Sequence, residues 1–201
     1  ADCKEIDIVL VTPGGYAHQV AKFVNKLRPR FDKISFILLN KTMSAGTIFI
    51  MSGDEVIMSN QSQIGPIDPQ VRTKTGEFVP AQSILTLIED IRARGEEAIK
   101  KGGKPSWTDL QILNGIDPKE IGNALNASNY SIQLVEEYLH NFKFKNWNIH
   151  SDGTTPVTAE EKKDRATEIA KMLCDHSKWK NHGHAITREA AWEVCKLKIT
   201  H

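Results

Sequence analysis

Met43-Ser44-Ala45-Gly46-Thr47 is the stretch on which the fold of this chain turns. It follows Ile34-Ser35-Phe36-Ile37-Leu38-Leu39, an apolar run that reads as a buried strand. It precedes Ile48-Phe49-Ile50-Met51, which continues as an apolar helix to about Ser52. A serine among small residues on a tight strand-to-helix turn is a common way to expose a nucleophilic hydroxyl. The first turn of the following helix offers unpaired backbone N–H groups at the same place. A second turn of this kind, Thr12-Pro13-Gly14-Gly15, lies upstream. It follows Ile6-Asp7-Ile8-Val9-Leu10-Val11, a mostly apolar, β-branched run that predicts a strand buried on both faces.

The elements around these turns predict a parallel α/β core. Val20, Ala21, Phe23, Val24 and Leu27 recur at helical spacing between His18 and Lys26, and Pro29 stops that helix. Glu55-Val56-Ile57-Met58 reads as a short strand, giving the order strand, helix, strand, helix, strand. Ser62 through Gln70 holds two prolines and a glycine and predicts a rigid loop, with Thr73-Lys74-Thr75-Gly76-Glu77 as a hairpin tip. From Pro80 the pattern turns helical. Ile84, Leu87, Ile88 and Ile91 mark one helix, and Leu134, Val135, Tyr138, Leu139 and Phe142 mark another. Thr158-Ala159-Glu160-Glu161 is a capping box opening a helix to about Cys174, and Thr187 caps a last short one. Lys100 to Pro105 reads as a surface loop.

Composition bounds the rest. The 201 residues, 40% hydrophobic and 25% charged, suit one soluble domain with a real core. We expect a single domain over 1–201, with a core over about 1–95 and a helical extension over about 96–201. A net charge of +1 points away from nucleic acid. Cys3, Cys174 and Cys195 are too few and scattered for a disulfide framework, so a cytoplasmic setting is expected. No run approaches the roughly 18–20 apolar residues of a membrane span. An anchor in sequence upstream of Ala1 would make the protein membrane-associated.

Each candidate residue also has an ordinary reading. Ser44 is either a helix cap or a nucleophile. Gly14-Gly15 is either a plain turn or the source of a backbone donor, most naturally the Gly14 N–H, that pairs with the Ala45 N–H to hold an oxyanion. No Lys-Ser/Thr follows these glycines, so a phosphate loop is disfavoured. Asp68, in Gly65-Pro66-Ile67-Asp68-Pro69, is either a turn residue or a carboxylate on a rigid mount that orients a histidine. Of the seven histidines, His182-Gly183-His184 with His176 lacks a recognised metal-ligand spacing.

Taken together, Thr12 to Gly15, Met43 to Thr47, Asp54 to Met58 and Ser62 to Gln70 resemble the serine dehydrogenase proteinase family. That family is related to the Clp peptidases and signal peptide peptidase A within the crotonase-like fold. The resemblance runs from Ile6 to Ile199, and Asn181-His182-Gly183-His184-Ala185-Ile186 is similar to the family's C-terminal His-Gly block. It implies a domain of repeated ββα-type units with a parallel core sheet and a helical C-terminal half. It implies a serine peptidase with Ser44 as nucleophile, Asp68 as orienting acid and His182 as base. Gly14 and Ala45 would form the oxyanion hole, and Gly15, Gly46 and Gly65 would line the substrate. Relatives of the signal peptide peptidase A type use a lysine base, but the corresponding segment here, Phe78 to Ser83, has none, which leaves only Lys74 and Lys104. The chain departs from the family pattern at Val11, where a histidine is usual, and at His184, where a basic residue such as arginine is expected.

The resemblance further implies a peptide or protein substrate, no metal or organic cofactor, and a homo-oligomer. Two other functions use the same scaffold. A crotonase-like acyl-CoA enzyme would employ the two backbone donors without a serine nucleophile. A catalytically inactive peptide-binding scaffold would keep the glycine turn without a working base.

Overall fold

The computed structural model describes residues 3–200. The chain divides into two compact units, one running up to Ile67 and resuming at Tyr130, the other spanning Asp68–Asn129. The division therefore does not follow the expected boundary near residue 95. The helical C-terminal segment builds the same core as the first strands, and an intervening stretch forms a small core of its own.

The first unit is built on a five-stranded sheet. β1 (Glu5–Thr12) pairs in parallel with β2 (Lys33–Thr42), with Ile8 beside Phe36 and Leu10 beside Leu38. The connecting helix α1 (Ala17–Leu27) makes this a β-α-β unit. The other edge of β2 is shared. Residues 35–38 pair in parallel with β3 (Glu55–Met58), and residues 41–42 pair with β4 (Gln63–Ile64). Between β2 and β3 lies the short helix α2 (Ala45–Ile50).

The core follows from strand alternation. Ile34, Phe36 and Leu38 of β2 and Val56 and Met58 of β3 are buried with Val20 and Val24 of α1 and Ile48 and Ile50 of α2. Phe49 meets Phe36 edge-on at 4.8 Å and Phe23 at 5.9 Å, so the helices are keyed to the sheet by aromatic rings.

β1 differs from its sequence reading. Its residues alternate between exposed and half-buried, and Val9 and Val11 are 60% and 59% exposed. The reason is topological. β1 is an edge strand, and its composition cannot say that only one of its faces meets the core.

The C-terminal elements complete this unit. Helix α6 (Ala159–Cys174) opens with the expected capping box, with Glu161 N–H donating to Thr158 Oγ1 at 3.1 Å and Thr158 N–H to Glu161 Oε2 at 2.8 Å. The four-residue helix α7 (His176–Trp179) follows, then β7 (Ile186–Thr187), then α8 (Arg188–Glu193), capped by Thr187. β7 pairs antiparallel with β4, Ile64 beside Ile186. Neither two-residue strand was legible in the sequence.

The second unit begins with a hairpin, β5 (Gln70–Arg72) and β6 (Phe78–Pro80), closed by the expected tip, where Thr73 N–H donates to Glu77 O at 2.9 Å. Helices α3 (Ala81–Lys100) and α4 (Trp107–Gly115) follow, clamped by a two-pronged Arg94–Asp109 pair at 2.8 and 3.1 Å. The unit ends within α5 (Pro118–Tyr138) at Asn129. Its core is small: Val71, Ala81 and Ala124, with Val79, Ile84, Leu85 and Ala127 packed on them.

Candidate active site

The site is assembled where β1 and β2 end. The register pairs Thr12 with Thr42, so the turns that follow the two strands start side by side. A side chain added at Gly14 would place its Cβ 3.0 Å from Ser44 Cβ, 3.1 Å from Met43 O and 3.6 Å from Ala45 N. The glycine turn and the serine turn therefore touch. Gly14 has φ +116°, a conformation that glycine supplies without steric cost.

Ser44 is the N-cap of α2, but it does not behave as a cap. Its φ is 49° and its ψ −116°, and its side chain makes no capping hydrogen bond. A capping serine has an extended backbone and accepts an N–H from the first turn. A left-handed conformation at a residue with a Cβ costs on the order of 1–3 kcal/mol and persists only where the surroundings impose it. Here the imposing groups are identifiable, and each is a member of the quoted motif. Gly46 packs beneath two threonines, because a Cβ there would lie 2.4 Å from Thr12 Cγ2 and 3.0 Å from Thr42 Cγ2. The Thr47 hydroxyl donates to Thr42 O at 3.0 Å and accepts the Gly65 N–H at 3.1 Å, binding the serine turn to both β2 and the Gly-Pro loop.

The Ala45 N–H donates to no acceptor among the described residues, consistent with its place in the first turn of α2. The Gly14 N–H, by contrast, donates to Thr12 Oγ1 at 3.1 Å. The expected upstream oxyanion donor is thus already engaged within the chain. Gly46 and Gly65, expected to line the substrate, are buried. Packing accounts for both, since a Cβ at Gly65 would meet Met43 Cε at 2.7 Å. Gly15 is exposed and has open space where a side chain would stand.

His182 reaches this end of the sheet through β4 and β7. Thr42 of β2 pairs with Ile64, and Ile64 pairs with Ile186. The turn just before Ile186 is therefore delivered beside the end of β2. That turn is held by Asn181, whose Oδ1 accepts the Gly183 N–H at 2.8 Å and whose carbonyl accepts the His184 N–H at 2.9 Å. His184 lies against the Trp179 ring, with centroids 5.1 Å apart. His182 and Gly183 line a cavity of ≈ 470 Å³ together with Thr12, Pro13, Lys41 and Met43. The Ser44 side chain makes no capping hydrogen bond to α2, and Ser44 is not among the residues that line this cavity.

Asp68 is fully buried and begins the second unit. The two lysines left open by the sequence also lie in that unit, and Lys74 Nζ donates to Gly115 O at 3.0 Å. The sequence reading missed Thr12 and Thr47, whose hydroxyls organise the two turns. The signal for Thr12 was its place two residues before Gly14, the spacing at which a threonine hydroxyl accepts a local N–H.

A parallel α/β sheet with a strained serine at a strand-to-helix turn and a glycine turn against it defines a Clp-like serine proteinase scaffold. Residues 1–100 match the model of the ClpP-like SDH-type serine proteinases, and through this half the chain belongs to that family. Two uncharacterized proteins of Methanocaldococcus jannaschii are similar to it. One is 26% identical over 171 residues, 83% of this chain and 54% of its own length. The other is 35% identical over 116 residues, 58% of this chain and 34% of its own. The chain thus spans about half or less of the length of these relatives. In fold it is similar to the 1510-N membrane-bound stomatin-specific protease, solved as a mutant in complex with a substrate peptide. The TM-score is 0.53 at 14% identity, covering 98% of this chain and 61% of that one.

Proposed function

We propose that this chain carries the catalytic centre of a serine peptidase with Ser44 as its nucleophile. One observation carries the reading: Ser44 occupies a helix N-cap in a left-handed conformation with its hydroxyl uncommitted to the helix. Strain at a position where a relaxed serine would cap is what a presented nucleophile requires. Membership of a serine proteinase family supports the same reading.

In the proposed reaction Ser44 Oγ attacks the carbonyl carbon of a peptide bond. His182 takes the hydroxyl proton and returns it to the leaving amine as the C–N bond breaks. The tetrahedral oxyanion is held by the Ala45 N–H and an N–H of the Gly14-Gly15 turn. Asp68 is the orienting acid by family resemblance, and its complete burial fits a carboxylate with a structural task. His182 on the wall of the cavity that Met43 also lines supports it as base. A Ser44–His182 hydrogen bond would form on substrate binding, as catalytic hydrogen bonds tighten between free and occupied states.

The substrate would be a peptide or protein, in keeping with the peptide-bound fold relative, and the working form a homo-oligomer. Among the described residues no helix is long and apolar enough to cross a membrane. The fold relative is described as membrane-bound, which supports membrane association of the whole protein through sequence outside the described residues.

A fluorophosphonate probe tests the centre directly. Wild-type protein should be labelled, with the adduct mapping to Ser44 by mass spectrometry, and Ser44→Ala should abolish it. A wild type that resists labelling across pH 6–9, or an adduct that survives in Ser44→Ala, would defeat the proposal.

A further inference from the structure

We propose that the tip of the α3–α4 helix pair, Ile99-Lys100-Lys101-Gly102-Gly103-Lys104-Pro105-Ser106-Trp107, is a docking surface for an anionic lipid bilayer. The inference concerns the second unit alone. It is independent of the chemistry at Ser44 and of any anchoring sequence outside this chain. Trp107, at 73%, is the most exposed large hydrophobic side chain among the described residues, and Ile99 is 61% exposed. Leu110 lies three residues after Trp107, on the same side of α4, and is exposed as well. The end of one helix pair therefore sets three large apolar side chains in water, and surface of that kind marks a contact with something else.

These side chains stand on an ordered turn. The N–H groups of Lys101, Gly102 and Gly103 donate to the carbonyls of Glu97, Ile99 and Ala98 at 3.1, 2.9 and 2.9 Å. Gly102 supplies the left-handed φ of +75° that the turn needs. Pro105 comes back onto α3, since a Cβ at Gly95 would lie 3.9 Å from Pro105 Cβ. The Arg94–Asp109 pair then fixes the start of α4. Docking would have little backbone left to order.

Charge decides what the surface meets. Lys100, Lys101 and Lys104 surround the apolar groups, and no acidic residue occurs from Ala98 to Thr108. Lys101 Nζ pairs with Glu97 at 2.6 Å, whereas Lys100 and Lys104 have no ion-pair partner among the described residues. A second copy seated here about a two-fold axis would bring these lysines against themselves. An anionic bilayer suits both components. A tryptophan ring is at home at headgroup level, and lysines beside it reach lipid phosphates while their stems cover apolar surface.

Co-sedimentation of the chain with vesicles tests this. Wild type should bind vesicles of phosphatidylcholine and phosphatidylglycerol in equal parts and should not bind phosphatidylcholine alone. Each free lysine near an anionic surface contributes about fivefold, so Lys100→Gln, Lys101→Gln and Lys104→Gln combined should weaken binding at least about 20-fold. Trp107→Ala should weaken it at least about tenfold, the loss of one large apolar contact. Screening within about 3 Å in about 1 M salt should release wild type from the same vesicles. The salt arm needs no variant, so it decides even if a substitution disturbs the fold, which thermal melts report. Wild type that stays in the supernatant, binds neutral vesicles equally well, or ignores salt overturns the proposal. So does a folded lysine or Trp107 variant that binds like wild type. A wild-type dimer in sedimentation velocity that Trp107→Ala dissolves would assign the face to a second copy and also overturn it.

Discussion

Gly14 and Ser44 are in van der Waals contact across two separate strand-to-helix turns: a Cβ added at Gly14 would lie 3.0 Å from Ser44 Cβ. The contact exists because Thr12 and Thr42 are paired in the parallel β1–β2 ladder, so the residues two beyond each leave the sheet together. Gly14→Ala would both fill this gap and place a side chain at φ +116°. We expect it to cost on the order of 1–3 kcal/mol of stability. Displacing the turn should also lower Ser44 labelling by at least about 100-fold. A thermal melt and a labelling time course on the same sample check both.

Ser44 itself should trade stability for exposure of its hydroxyl. Ser44→Gly removes the Cβ that makes φ 49° costly, whereas Ser44→Ala keeps it. Ser44→Gly should therefore be more stable than Ser44→Ala by about 2 kcal/mol or more, beyond the ~1 kcal/mol by which glycine ordinarily exceeds alanine at an N-cap. Chemical denaturation of the two inactive proteins measures the difference, and a gap of about 1 kcal/mol or less would mean the backbone at Ser44 is not strained.

Thr47 holds the serine turn to the Gly-Pro loop through one buried hydroxyl. Thr47→Val leaves Thr42 O without that donor and Gly65 N–H without its acceptor. Each unsatisfied buried group costs about 1–3 kcal/mol, so a loss of about 2–6 kcal/mol is expected. Thr47→Ser should retain most of the stability, which separates the hydroxyl from the methyl.

His182→Ala should leave the fold intact, because His182 sits half-buried on a turn held by Asn181. Labelling should fall by about 10²–10⁴, the range for loss of a general base. An unchanged rate would move the base to another residue while leaving Ser44 in place.

Lys143 provides a pH signature away from the site. It ends the π-helical turn Leu139–Lys143, and burial pushes its ammonium down to about 8. Glu55 and Asp54 oppose that shift, and Lys198 adds to it. Between about 8 and the ordinary value of 10.5 the unfolded chain holds a proton that the folded chain has released. Stability should therefore rise with pH through that window, and the penalty should be complete below it. Lys143→Met should be more stable than wild type at pH 7, with the gap closing towards pH 10.5. A gap independent of pH in urea melts would refute the assignment.

The two glycine-rich turns, the strands before them and the capping box at Thr158 were legible because each is written in neighbouring residues. Apolar runs mark strands, small residues permit turns, and Thr158 and Glu161 recognise each other three residues apart. Ser44 could be singled out for the same reason. Its φ of 49° and the exposed face of β1 could not be read this way. These depend on which segment packs against which. Gly46 and Gly65 show the difference: the family resemblance implies that they line the substrate, and only the structure shows Thr12, Thr42 and Met43 standing where their side chains would be.

By itself, then, the sequence determined the chemistry on offer: a serine at a strand-to-helix turn, a glycine turn that can approach it, and the family those blocks define. Tertiary structure alone decided that the serine is strained rather than capping, and that His182 is carried to the end of β2 by two short strands. Local propensity acts over a few residues, whereas each of these facts arises from contacts between residues tens of positions apart, fixed by sheet register and close packing.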